Sequence, residues 1–312
     1  MPKYFPETKE ELKALVEDEA IHLGDIDTSK ITDMSYLFAN SDRTDFSGIE
    51  KWDVSNVVNM EGMFWGCEKF NADISGWNTS SVVNMDSMFR FCDKFDQDIS
   101  GWNTGNVKNM SGMFYCCYSF NQPLGDWDVS NVENMSHMFW GCENFNQPLN
   151  EWDVGKVRKM YGMFANCTSF NQSLDKWNVS SVRDMTAIFS QCENFNQDIS
   201  SWDVSRVEDM GCMFDGCKNF NQDISKWDVS NVKDMDYMFS YCISFNQPLD
   251  KWDVSKVESI AGMFYNCKSF NQDISDWDVS NVEDMEVMFE NCPIDNSNKP
   301  SQEQSSIKRQ RL

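Results

Sequence analysis

Tryptophan recurs every 25 residues from Trp52 to Trp277, without one insertion. A fixed period of this length marks a chain built from stacked units, each too small to bury its own apolar residues. Around each Trp runs the frame W-D/N-V/T-S/G-x-V-x-x-M-x-x-M-F-x-x-C-x-x-F-N-Q-x-I/L. Val fills one column from Val57 to Val282, Phe another from Phe64 to Phe289, and Cys a third from Cys67 to Cys292. Ile188 and Ile260 replace Met in single units, a swap that keeps apolar volume. A degenerate unit comes first, with Ile26 and Ile31 in the Trp and Val columns, Met34, Leu37 and Phe38 matching Met60, Met63 and Phe64, and Ser41 in place of Cys. Stacked in register, such units place like side chains over like.

Within a unit, Val57, Met60, Met63, Phe64 and Cys67 repeat at a spacing that suits one face of a short helix or 3-10 turn. The Trp column and the Val54 or Thr79 column alternate with polar residues, as a strand with one buried face does. Pro123, Pro148 and Pro248 share a column that must therefore be a turn, because proline has no N–H for a sheet. The expected fold is a repeat solenoid of about eleven coils, each a short parallel strand plus a short helix or 3-10 turn. Residues 26–292 form it. Residues 1–25 form an N-terminal capping helix, with Thr8 and Glu11 as a capping box, Leu12, Leu15, Val16, Ala20 and Ile21 on its apolar face, and Gly24 after it. Residues 293–312 read as a disordered polar tail.

The frame W-D-V-S-x-V-x-x-M-x-x-M-F-x-x-C-x-x-F-N-Q resembles the repeats of BspA-like leucine-rich-repeat bacterial surface proteins and of mycoplasma lipoproteins. The resemblance spans roughly residues 26–292. It implies a leucine-rich-repeat-like solenoid, a cell-surface or secreted setting, and roles in adhesion or protein binding, with no catalytic residues to carry over. No signal peptide or lipobox cysteine is visible near Met1, which leaves a cytoplasmic location open.

A formal net charge of −24 disfavours nucleic acid and anionic membranes as partners, and no window of the sequence is apolar enough to span a bilayer. The chain has only 2 histidines, His22 and His137, and no clustered, non-repeating set of polar groups. It is therefore read as not an enzyme, with no cofactor. The 12 cysteines include no C-x-x-C pair, so the column reads as buried free thiols rather than as disulfides or a metal site, while Cys116 and Cys212 fall off the column. Asp53, Asn78, Asn103 and their equivalents form a column that serves either as a carboxylate row for a cationic partner or as a series of Asx turns, and the free exchange of Asp and Asn favours turns. The column headed by Asn71, with Asp96 as its exception, suits a ladder that satisfies backbone groups. His22 is expected to end the capping helix, and His137 to face solvent.

Two variable columns are candidate binding faces. One follows the Phe of each Met-Phe pair, and its Trp65, Arg90, Tyr115, Trp140 and Tyr265 are the candidate partner-binding residues. Exposed aromatics and arginine mark binding patches for proteins or sugars. The other precedes each Trp and runs from Lys51 to Asp276. The expected function is non-catalytic binding to a protein or carbohydrate surface, against the alternatives of a structural spacer and, least of all, an enzyme. The sequence does not fix the oligomeric state.

Overall fold

Hydrogen bonds to the next coil, rather than helices or sheets, hold this chain together. The structure is a computed structural model and describes residues 1–301. The chain divides into two units, Met1–Lys156 and Val157–Leu312. Among the described residues the regular elements are one α-helix, Lys9–Glu17 (α1), and three 3-10 turns at Leu23–Asp25, Ile49–Lys51 and Asn296–Asn298.

Among the described residues no coil forms the expected strand, and of the two forms expected beside it, helix or tight turn, the coils take turns. In unit 1, Met60, Gly62, Phe64 and Gly66 each donate a backbone N–H to the next coil, to the carbonyls of Asn84, Asp86, Met88 and Arg90, at 2.9, 2.7, 2.9 and 2.7 Å. The N–H groups between them close tight turns inside the coil: Met63 to Met60, Trp65 to Gly62 and Cys67 to Phe64. The remaining donor, Glu61 N–H, reaches the Asn59 side chain at 3.1 Å. All eight N–H groups of residues 60–67 thus have acceptors, and no i→i−4 helix bond is left to form. Unit 2 repeats the pattern: Met210, Cys212, Phe214 and Gly216 donate to Asp234, Asp236, Met238 and Ser240. Pairing otherwise reduces to isolated parallel bridges, such as Asn59 with Asn84 and Asp209 with Asp234.

This zigzag needs a left-handed residue twice per coil. Gly62 (φ 55°) and Gly66 (φ 75°) supply it in one coil, and Asn166, Asn266 and Gly216 are among those that do so elsewhere. Glycine and asparagine are the residues that adopt this conformation at least cost. The apolar spacing that suits a helix suits a run of three-residue turns equally well, because both return a side chain to the same face after about three residues.

The core is a set of parallel ladders. Phe64 stacks on Phe89 at 5.7 Å and 3°, Phe70 on Phe95 at 5.8 Å and 13°, and Trp77 on Trp102 at 6.2 Å and 6°. Unit 2 shows the same, with Phe189 on Phe214 at 5.9 Å and Trp177 on Trp202 at 6.4 Å. The ladders are polar-satisfied as well as apolar. Indole N–H groups of the Trp column reach back to carbonyls of the preceding coil, as Trp102 does to Ile74 at 3.1 Å and Trp227 to Ile199 at 3.2 Å. Where the column of Val54 holds Thr79 or Thr104, the buried hydroxyl donates to the next coil, to Asn103 or Asp128 O, at 2.9 Å. A buried hydroxyl is tolerated there because it is paired.

The polar columns are structural in the same way. Asp53, Asn78, Asn103 and Asp128 each accept an N–H two residues on, at 3.0 to 3.2 Å, so this column consists of Asx turns. In the other column Asp96 N–H donates to Asn71 Oδ1, Asn121 N–H to Asp96 Oδ1, and Asn146 N–H to Asn121 Oδ1, at 2.9, 3.0 and 3.0 Å. Asp96 fits because the ladder uses only its Oδ1 acceptor.

At the N-terminal end α1 buries Leu12 and Val16, whereas Leu15 and Ile21 are only half-buried and Ala20 is exposed. Thr8 caps it by accepting Glu11 N–H at 3.2 Å, and Glu11 returns its carboxylate to Glu7 N–H at 2.7 Å. His22 does not end this helix. It precedes the turn Leu23–Asp25, where its Nδ1 accepts Gly24 N–H. The buried Arg43 instead meets the chain leaving α1, donating to the carbonyls of Val16 and Ile21 at 3.0 and 2.6 Å. At the other end residues 293–301 lie within the expected tail, yet they pack on the last coil. Ile294 is buried, and Asn298 O accepts Ile274 N–H at 3.0 Å while its side chain reaches Asn271. Residues 302–312 of that tail lie outside the described residues.

Candidate partner-binding site

The turn that follows each buried Phe pushes the next side chain to the rim of the coil, and in unit 1 those side chains meet. Trp65, Arg90, Tyr115 and Trp140 are all half-buried and adjacent. The Arg90 guanidinium lies 5.3 Å from the Trp65 ring and 4.0 Å from the Tyr115 ring, sandwiched between coils, and 5.0 Å from Phe91. Tyr115 in turn stacks on Trp140 at 5.8 Å and 12°. Cation–π contacts of this kind are worth about 0.5–1 kcal/mol each at a partly exposed site.

Three further residues extend the row. Tyr36 packs on Trp65 at 6.0 Å, and its hydroxyl donates 2.5 Å to Glu61, which pushes the phenol pKa up to about 12. Tyr36 can lie there because the next coil has Gly62 beneath it; a Cβ on Gly62 would sit 2.5 Å from the ring. His137, expected in solvent, is half-buried with its ring 5.3 Å from Trp140 and 6.0 Å from Tyr115. Phe91 meets Tyr115 edge-on at 5.4 Å. Tyr36 is not singled out by the sequence pattern, and His137 is expected from it only to face solvent. The turn brings residues three apart to one rim, which puts His137 beside Trp140 and, one coil over, Tyr36 beside Trp65.

Arg90 is the chemically distinctive member. Its buried Nε has no hydrogen-bond partner among the described residues. That nitrogen is itself out of reach, so what the rim offers an incoming acceptor is the positive charge of a half-buried guanidinium among aromatic rings.

Unit 2 does not repeat this row. The same column holds Ala165 and Ser240, both buried, and Asp215, whose carboxylate accepts Gln191 Nε2 at 2.7 Å and is raised in pKa by burial. Tyr265 belongs to unit 2, where its neighbour is Tyr241, edge-on at 5.5 Å. The second candidate column, from Lys51 to Asp276, is solvent-exposed throughout.

The thiols are passive. None of the 12 forms a disulfide, and the column thiols from Cys67 to Cys267 lie in the core, where Cys92 Sγ donates to Phe64 O and Cys117 Sγ to Phe89 O, at 3.0 and 2.9 Å. Burial pushes the Cys67 thiol up to about 12 and Cys92 and Cys117 well above the ordinary range, so the thiolate is suppressed. Cys116 and Cys212 are half-buried, and burial raises Cys212 to about 11. Among the described residues no group of three or more His, Cys, Asp or Glu side chains is placed to hold a metal ion, and no helix is long and apolar enough to cross a membrane.

A family model described as "Mycoplasma protein of unknown function, DUF285" matches the chain over residues 9–124, 119–213 and 184–302. The three overlapping matches follow the tandem repeat. No curated protein matches the chain.

Proposed function

We propose a function for a chain that belongs to the mycoplasma repeat family DUF285: it is a non-catalytic scaffold that binds a protein partner through the aromatic rim of unit 1. The observation that carries this reading is the Arg90 guanidinium held between Trp65 and Tyr115 at a half-exposed rim. Trp, Tyr and Arg are the residues that dominate binding energy at protein interfaces. The surface setting, the adhesive role and the leucine-rich-repeat kinship implied by the sequence resemblance belong to this reading too.

A protein partner is favoured over a carbohydrate. Sugars stack on open ring faces, whereas Tyr115 and Trp140 lie nearly parallel at 12° and spend those faces on each other. What remains is ring edges and one cationic donor, which suit a carboxylate or backbone carbonyl beside an apolar side chain.

The test is quantitative capture from host-cell extract, comparing the intact chain with Trp65→Ala plus Trp140→Ala and with Lys226→Ala plus Lys251→Ala on the other candidate column. The reading expects a protein that the first double variant loses and the second keeps. Identical catches from all three would remove the aromatic rim as the binding site, and a catch lost only with the lysines would move it to the other column.

A further inference from the structure

In coils of both units, such as those of Met60–Gly66, Met110–Cys116, Met210–Gly216 and Ile260–Asn266, the outward row of backbone N–H groups is consumed by the coil that follows. In the last coil, the equivalents of Met60, Gly62, Phe64 and Gly66 are Met285, Val287, Phe289 and Asn291. Among the described residues none of these four N–H groups has an acceptor. The carbonyls between them, of Asp284, Glu286, Met288 and Glu290, are already used by Ile260, Gly262, Phe264 and Asn266. The carbonyls of Met285, Val287 and Phe289 close turns within the coil. The edge therefore shows donors alone, at every second residue.

The apolar column is open at the same place. Interior Met60 and Phe64 are 0% exposed, whereas Met285 and Phe289 are half-exposed and Val287 is 43% exposed. Residues 293–301 cover the Asn271 and Ile274 side of this coil and leave the 285–291 side uncovered, apart from Lys299 Nζ at 5.5 Å from the Phe289 ring. The N-terminal end differs, because α1 closes it and leaves Met34 and Leu37 buried. A second copy docking head-to-tail would have to displace α1, and two copies meeting at this edge would set donors against donors.

We propose that the 285–291 edge is a docking site for a basic peptide segment of a partner protein, which pairs its backbone carbonyls with the four free N–H groups. Main-chain addition to an open edge takes its affinity from such bonds. The charge selects the segment. Asp284, Glu286 and Glu290 are exposed around the edge, against Lys299 and Lys268, and the chain carries −24 overall. An anion is thus repelled, whereas neutral carbonyls flanked by lysine or arginine suit both the donors and the carboxylates. This site is independent of the aromatic rim.

The experiment titrates the full-length chain with two synthetic peptides, one of alternating lysine and valine and one of alternating glutamate and valine, and follows amide exchange. The proposal expects saturable binding of the lysine peptide and at least tenfold slower exchange at Met285, Val287, Phe289 and Asn291. It also expects little or no binding of the glutamate peptide. Glu286→Lys plus Glu290→Lys, both on exposed side chains that hold no turn, should weaken the lysine peptide at least tenfold while the tryptophan fluorescence of the fold stays native. Three results would overturn it: equal binding of both peptides, no change at the four amides, or amides already protected in the free chain because one of its own segments covers them.

Discussion

Replacing Asn121 by Ala should cost about 1–2 kcal/mol, whereas replacing it by Asp should cost almost nothing. Asn121 Oδ1 accepts the backbone N–H of Asn146 at 3.0 Å and the Gln147 amide at 3.2 Å. Alanine removes both acceptors. Gln147 keeps its bond to Asn121 O at 2.9 Å, so the net loss is one half-buried backbone donor left without a partner. An unsatisfied buried group costs about 1–3 kcal/mol, and partial exposure puts this one at the lower end. Aspartate keeps the acceptor, and Asp96 performs the same task one coil earlier by accepting Asn121 N–H at 3.0 Å. Urea unfolding followed by tryptophan fluorescence reads the difference as a lower midpoint at unchanged slope for Asn121→Ala. A neutral alanine variant, or an aspartate variant as damaged as the alanine one, would refute the claim that this column works as a chain of acceptors.

Phe114→Ala, at a 0% exposed position between Phe89 and Phe139, should cost about 3–5 kcal/mol by leaving a cavity. Phe289→Ala in the last coil should cost less than half as much, because that ring is already half-exposed; the same urea titration compares them. Asp128, Asp203 and Asp253 have lowered pKa values, held down first by the Ser130, Ser205 and Ser255 side chains and next by the backbone N–H groups of the same residues. A carboxylate with a depressed folded pKa contributes stability above its unfolded pKa and loses it as pH falls through the folded value. The triple replacement by Asn keeps each turn but removes the titration. Its unfolding midpoint should therefore fall less than that of the parent as pH drops below the ordinary carboxylate range, and an equal fall would show that these turns do not depend on charge.

The stack itself was legible because a 25-residue period leaves each unit with more apolar surface than it can bury alone. The buried column thiols and the Asx turns followed from residue type: cysteine among Phe and Met is a small apolar side chain, and Asp and Asn exchange only where an acceptor is the shared property. The local conformation was not legible from the apolar pattern. Met60, Met63, Phe64 and Cys67 are spaced alike in a helix and in a run of three-residue turns. A partial signal lay in two variable columns, where Gly62, Gly112, Gly162 and Gly262 share one left-handed position and Gly66, Gly141 and Asn166 another, but Ala187, Tyr237, Val287, Phe91 and Tyr241 adopt the same conformation there. Glycine recurring inside an apparent helix counts against that helix, and its replacement by such residues hides the sign. The candidate site was legible in part. Trp65, Arg90, Tyr115 and Trp140 do meet, but Tyr36 and His137 join them from a column whose residues vary too much to suggest a shared rim, and Tyr265 pairs within unit 2 instead. The order of residues 293–301 was hidden because it rests on backbone bonds such as Ile274 N–H to Asn298 O, which a polar composition does not reveal.

Amide hydrogen exchange at Phe64, Phe89 and Phe114 tests most directly whether coils hold one another in place. Each of these N–H groups leaves its own coil and donates 2.9 Å to the next, at Met88, Met113 and Met138. If neighbouring coils supply the acceptors, the three amides exchange only when the stack comes apart, at rates set by global unfolding. Exchange as fast as that of a solvent-exposed turn, in a chain whose tryptophans still report the native fold, would contradict the account.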